Sequence, residues 1–177
     1  MAHSTATQFL RSSSLAALAT MALVAGCMSL RPLEPGASTA DVRAAWGAPT
    51  TQVRLPAGSG GGERWAYSSA PEGRTVQILS FDGTGKLVSN VQGLTPQRVA
   101  QVVIGQTQDE VEALIGPSYW SLRYPFRPEE LVHVYRFMDG TFPTCFYVGY
   151  DASGRVSSTG SRDEDRPERG MLPGRPC

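Results

Sequence analysis

Apolar and polar residues alternate in short runs along residues 50 to 159, and glycine, proline and aspartate interrupt the runs. Alternation with a period of two residues is typical of a β-strand that buries one face. The pattern predicts eight antiparallel strands in two groups of four. These are residues 50–55, 63–68, 75–81 and 86–91, followed by 119–124, 131–138, 144–150 and 155–159.

A short helix of about ten residues is predicted ahead of each group of strands. Ser38 lies three residues before Asp41, and Thr107 lies three residues before Glu110. A hydroxyl followed at this spacing by a carboxylate is typical of a helix N-terminus, and glutamate makes the second pair the more orthodox capping box. Each helix ends at a glycine with a proline close behind. Each predicted helix carries one apolar stripe, formed by Val42, Ala45 and Trp46, and by Val111, Leu114 and Ile115.

These elements repeat along the chain. Gly36 aligns with Gly105, and the turn sequences FDGTG and YDASG align at the same separation. A constant separation at both ends of a segment indicates a duplicated unit. We therefore predict an α+β fold of two tandem units, each with one or two short helices packed on a small antiparallel sheet. The units are predicted at residues 35–93 and 94–160.

The N-terminal segment resembles an export signal. An apolar run, LAALATMALVAG, follows a start with one arginine and no acidic residue, and it is too short to span a membrane. Val24-Ala25-Gly26-Cys27 resembles the lipobox of bacterial lipoproteins, in which the thiol is acylated and the chain is cut just before it. We predict a signal peptide at 1–26, a lipidated linker at 27–34 and lipid attachment at Cys27. Met28, in place of aspartate, implies by this resemblance an outer-membrane anchor that faces the periplasm.

The second unit extends the resemblance to a family. Three segments after the lipobox resemble parts of the SmpA/OmlA family of outer-membrane lipoproteins. They are residues 95–100, which resemble the first helix, residues 104–107, which resemble the linker, and residues 150–156, which resemble the last strand. BamE of the barrel-assembly machinery belongs to that family, so the resemblance implies the barrel-assembly machinery or other envelope proteins as partners. The tandem arrangement of two units in one chain resembles instead that of the β-lactamase inhibitor proteins. That likeness implies the alternative of an inhibitor-like module for a periplasmic enzyme.

Charge and cysteine content indicate which classes of partner and which cell compartment are compatible with the sequence. The chain has 16 basic and 16 acidic residues, which argues against a surface that binds nucleic acid. Residues 161–177 contain few large apolar side chains and are predicted to be a disordered polar tail, with Asp163-Glu164-Asp165 solvated. An oxidising periplasm permits a disulfide between Cys145 and Cys177. Cys145 falls in a strand as a small apolar residue, which disfavours the bridge and leaves the pairing open.

The sequence offers no set of catalytic groups. His133 lies between two valines in a predicted strand, where a structural role is favoured over catalysis or metal binding. Gly58–Gly62 lacks the Lys-Ser/Thr of a phosphate loop and is interpreted as a flexible hairpin loop. We therefore expect a non-enzymatic protein with no metal, cofactor or small-molecule substrate.

The segment from Tyr119 to Glu130 is rich in aromatic residues and arginine, which dominate protein interfaces. Alternation places about half of its aromatic residues in a strand core. We predict a partner-binding loop over residues 123–130, with contacts from Arg123, Tyr124, Phe126 and Arg127. Three functions remain in decreasing order of support: a lipoprotein for envelope assembly or integrity, an inhibitor-like module, and an enzyme.

Overall fold

Two four-stranded antiparallel sheets form the framework of the protein. The computed structural model describes residues 32–57 and 61–164 together with Cys177. The first sheet contains, in order, β1 (Thr51–Arg54), β2 (Glu63–Ser68), β3 (Val76–Phe81) and β4 (Leu87–Gln92). The second contains β5 (Trp120–Tyr124), β6 (Arg127–Asp139), β7 (Phe142–Tyr150) and β8 (Val156–Asp163). The helices are α1 (Thr39–Trp46), α2 (Pro96–Val99) and α3 (Gln108–Ile115).

Both longer helices begin with a complete capping box. The Ser38 and Thr107 hydroxyls accept hydrogen bonds from the backbone N–H groups of Asp41 and Glu110, and those carboxylates accept from the cap N–H groups. Each box satisfies amide groups that have no partner within the helix. The aspartate box is therefore as complete as the glutamate box, although the sequence favours the second.

Each sheet packs one face on the helix of its own unit. Val42 and Trp46 of α1 pack on the first sheet. Val111 and Ile115 of α3 are fully buried in a larger core that contains residues of both sheets. Since α3 lies between the sheets, it holds the two units together through apolar contacts. The larger core also contains Ala66, Val76, Ile78, Tyr135, Phe137, Phe146, Val148 and Tyr150.

Equivalent turns join the last two strands of each sheet. Asp82 Oδ1 accepts hydrogen bonds from two backbone N–H groups of its turn, at 2.9 and 3.0 Å. Asp151 Oδ1 does the same in the second sheet, at 2.8 and 3.1 Å. Gly85 and Gly154 adopt φ angles of +76° and +75°, which glycine reaches without the strain of a side chain.

The two turns lie at the same end of the molecule. Thr107, at the start of α3, bridges Arg155 beside the second turn. Asp109, in the first turn of α3, lines a groove with Pro56, which follows β1 beside the first turn of the sheet. Gly116, at the other end of α3, lies against Val76 at the far end of the first sheet. We name the end of the molecule that carries both turns the turn end.

The α+β class with two four-stranded antiparallel sheets agrees with the prediction from sequence. The helices are shorter than expected, at eight residues each for α1 and α3 and four for α2. Ala45 is exposed although it was assigned to an apolar stripe, because Val42 and Trp46 alone fill the contact of α1 with the sheet.

The C-terminal segment corrects two predictions. β8 continues to Asp163, past residue 160, although residues 161–177 were predicted to be disordered. An edge strand is held by backbone hydrogen bonds to its one neighbour, so β8 needs few apolar side chains. Cys177 forms a disulfide with Cys145, the pairing that the sequence disfavours. The prediction for residues 165–176 lies outside the described residues.

Candidate functional site

The predicted partner-binding residues lie together on the hairpin that joins β5 and β6. Arg123 pairs with Leu131, and Tyr124 pairs with Arg127, so the segment predicted as a loop is mostly strand. This is a correction, and its physical reason is a tight turn that lets pairing continue to Arg127. Phe126, at the tip, is 98% exposed.

The arginine side chains of the hairpin are partly engaged with it. Arg123 donates hydrogen bonds to the backbone carbonyl oxygens of Pro128 and Glu129, at 3.0 and 3.4 Å. Arg127 forms an exposed ion pair with Glu130 at 3.4 Å. Exposed pairs of this kind contribute little to stability, so the Arg127 side chain can exchange Glu130 for another anionic group.

A groove of about 370 Å³ runs between α3 and the edge strand β1. Its apolar lining comes from Val53, Leu55, Ala66, Ile78 and Ala113. The charged residues on its two sides have opposite signs, with arginines on the first sheet and carboxylates on α3. These are Arg54 and Arg64, and Asp109 and Glu112.

Among the described residues, β1 pairs with β2 alone, so the outer edge of β1 has no described strand partner and lies beside the groove. Val53 is 47% exposed on this strand. An exposed strand edge next to an apolar groove can take up an extended segment of another chain, with backbone hydrogen bonds on one side and side chains in the groove. No sequence pattern predicts this site, because the groove forms only when α3 packs on the first sheet.

A buried ionic cluster joins the two units. Glu164 accepts hydrogen bonds from Arg74 Nε at 2.6 Å and from Arg136 Nε at 3.0 Å. Arg136 also donates to the carbonyl oxygen of Pro71, in the loop between β2 and β3. Burial acts to raise the pKa of Glu164, but the hydrogen bonds from both arginines outweigh it and hold that pKa below its ordinary value. Glu164 was predicted to be solvated, and this is the correction.

The disulfide fixes Cys177 on the outer face of the second sheet, the face away from α3. Cys145 and Cys177 pack there with Val132 and Val134. The carbonyl oxygen of Cys177 accepts hydrogen bonds from the hydroxyl of Tyr147 and from Arg162, at 3.1 and 3.0 Å. Cys177 is therefore a structural part of this face.

His133 has no catalytic neighbourhood among the residues with a described position. Its ring lies 5.0 Å from that of Tyr150 and 6.5 Å from that of Tyr135. Burial lowers the pKa of His133, and burial raises the pKa of Tyr150 to about 12. All three side chains are therefore neutral at pH 7, and the histidine faces aromatic rings instead of a nucleophile.

Within the described ranges, no group of three or more His, Cys, Asp or Glu side chains could hold a metal ion. The same residues include no helix that is long and apolar enough to cross a membrane. Cys27, the predicted site of lipid attachment, lies outside the described residues, as do the signal peptide and residues 58–60 of the glycine-rich loop.

Comparison with known proteins gives little independent information. No family model matches the chain, and no curated protein matches it. Among solved structures, it is similar to one described as "putative beta-lactamase inhibitor protein" from Streptococcus mutans, with 10% identity and a TM-score of 0.33. The similarity covers 72% of this chain and 83% of that chain. At this TM-score the similarity assigns neither a fold nor a function to this chain.

Proposed function

We propose that the protein is an exported, non-enzymatic lipoprotein, anchored through Cys27 on the periplasmic face of the outer membrane, that binds another protein. Its binding site is the groove between α3 and β1. A partner segment adds to the β1 edge there and supports envelope assembly or integrity, with the barrel-assembly machinery as one candidate partner. In the alternative, the same groove binds a segment of a periplasmic enzyme in the manner of an inhibitor. The contacts are the same in both cases.

The groove beside β1 is the observation that carries the proposal. Val53 and Ala113 offer an apolar surface from opposite sides of the groove, and the backbone edge of β1 faces it. An edge strand left open is a liability that proteins usually shield with charges, bulges or a covering element. A partner segment that occupies the groove would cover both the edge and the apolar residues.

The disulfide supports the exported location. Disulfides form and persist in oxidising compartments and are rare in the cytosol. The Cys145–Cys177 bridge joins the inside of a strand to the end of the chain, and neither cysteine is near a metal-ligand cluster in the described parts of the chain. This is the chemistry expected of a chain that folds outside the cytoplasm.

The proposal is tested by affinity purification of the tagged, full-length protein from native membranes after mild cross-linking. Val53→Arg places a charge in the groove, whereas Val88→Arg is a matched control on the other edge strand of the same sheet, where Val88 is 63% exposed. We expect a specific envelope partner with wild type and Val88→Arg, and loss of that partner with Val53→Arg and with the unanchored Cys27→Ala variant. Equal recovery with Val53→Arg would contradict the groove as the binding site.

A further inference from the structure

We propose that the turn end of the domain faces the bilayer and that the tip of the β5–β6 hairpin inserts Phe126 into the lipid interface. The inference rests on the lipid anchor of the proposed function. It adds a second, non-covalent membrane contact, and it assigns to lipid the hairpin that the sequence predicts as a protein contact.

Gly36, near the start of the described chain, lies at the turn end. Gly36 donates a backbone hydrogen bond to Leu87 at 3.1 Å, just after the first turn, and Leu33 packs against the core of the first unit. Leu33 lies six positions after Cys27, and an extended chain covers at most about 3.5 Å per position. An acyl group on Cys27 therefore holds this part of the turn end within about 20 Å of the bilayer.

The hairpin projects from the same end. Leu131 of β6 pairs with Tyr150, which lies directly before the second turn. Arg123 pairs with Leu131 and Tyr124 pairs with Arg127, so β5 advances only one residue beyond that pair before the turn at Pro125-Phe126, and at about 3.3 Å per residue the hairpin tip extends about 7 Å past it. A tip that projects from the anchored end is the part of the second unit placed to reach the lipid.

Four of the six large apolar side chains that are exposed in the described part of the second unit lie at this end, whereas Met138 and Phe142 lie at the opposite end. Phe126 and Tyr124 lie at the hairpin, and Val103 and Ile104 lie in the segment before α3, with Ile104 63% exposed. The next residue, Gly105, donates a hydrogen bond to the carbonyl oxygen of Val156 at 2.9 Å, which fixes this segment beside the second turn. Aromatic and aliphatic side chains of this kind are favoured at the boundary between headgroups and acyl chains.

Charge at the tip fits a lipid surface. Residues 124–127 contain no acidic side chain, so Phe126 can enter the interface without burying a carboxylate. Arg127, paired only with a neighbour in an exposed ion pair, can reach a headgroup phosphate while its aliphatic part stays at the boundary. Aromatic residues next to arginine are also typical of protein interfaces. The position of the hairpin at the anchored end of the domain favours lipid as its contact.

Tryptophan fluorescence in vesicles tests the inference on the full-length, acylated protein. The variant is Phe126→Trp. The matched control is Phe142→Trp, because Phe142 is 69% exposed at the first position of β7, at the opposite end of the same sheet. Both are reconstituted in vesicles of mixed zwitterionic and anionic phospholipid, with and without bromine on the acyl chains, and wild-type fluorescence is subtracted.

We expect bromine to quench the added tryptophan at position 126 severalfold more than the one at position 142, with a shift of its emission to the blue. Equal, weak quenching at both positions in an acylated protein overturns the inference alone and returns the hairpin to a protein contact. A chain that carries no acyl group on Cys27 overturns the inference and the proposed anchor together.

Discussion

Replacement of Glu164 by glutamine is expected to destabilise the protein by about 3 kcal/mol, at the lower end of the 3–5 kcal/mol typical for breaking a buried ion pair. The Glu164 side chain is 2% exposed and is bonded by Arg74 and Arg136. Glutamine keeps the shape but removes the negative charge that both guanidinium groups contact. The lower end applies because Arg74 is 28% exposed and water can partly solvate its charge.

The loss is measured by urea unfolding of the oxidised protein, followed by tryptophan fluorescence and extrapolated to water. A loss of about 3 kcal/mol corresponds to a melting temperature about 6–12 °C lower for a domain of this size. Glu130→Gln is the control, because it removes the partner of the exposed Arg127 and should cost less than about 1 kcal/mol. If Glu164→Gln cost no more than Glu130→Gln, the cluster would not join the units as we describe.

Two further predictions concern the disulfide and pH. Cys177→Ser is expected to lower the free energy of unfolding by about 3–4 kcal/mol, because the bridge closes a loop with a sequence separation of 32. Urea unfolding measures this loss, and an unfolding midpoint equal to that of oxidised wild type would contradict it. The pKa of Glu164 is lowered in the folded protein, so its stabilising effect is complete above its ordinary pKa of 4.5 and is lost as pH falls through the folded-state value. The urea concentration at the unfolding midpoint should therefore decrease as the pH is lowered below about 4.5, and it should decrease less steeply for Glu164→Gln. Identical pH profiles for the two proteins would refute this role of Glu164.

The strands and caps were predictable from sequence because local chemistry determines them. Ser38 and Thr107 cap their helices through residues three positions away, and Asp82 and Asp151 organise their turns through backbone groups within four residues. Information of this range is contained in a short window of sequence. The two sheets follow from the same kind of pattern.

The contacts between residues far apart in sequence were not predictable in this way. Glu164 lies in a run of charged residues that is typical of a solvated tail, and its partner Arg74 is 90 residues away in sequence. Cys145 occupies the position of a small apolar strand residue, and nothing local indicates that the chain end returns to it. The groove beside β1 depends on how α3 packs on the first sheet, which no single window contains.

The most direct test of the central claim is the intact mass of the protein purified from membranes of the expressing cells. We expect a chain that begins at Cys27, carries acyl groups there and lacks two hydrogens for the Cys145–Cys177 bridge. A chain that retains residues 1–26, or one that begins at Cys27 without acyl groups, would contradict the lipid anchor on which both the proposed function and the membrane-facing turn end depend.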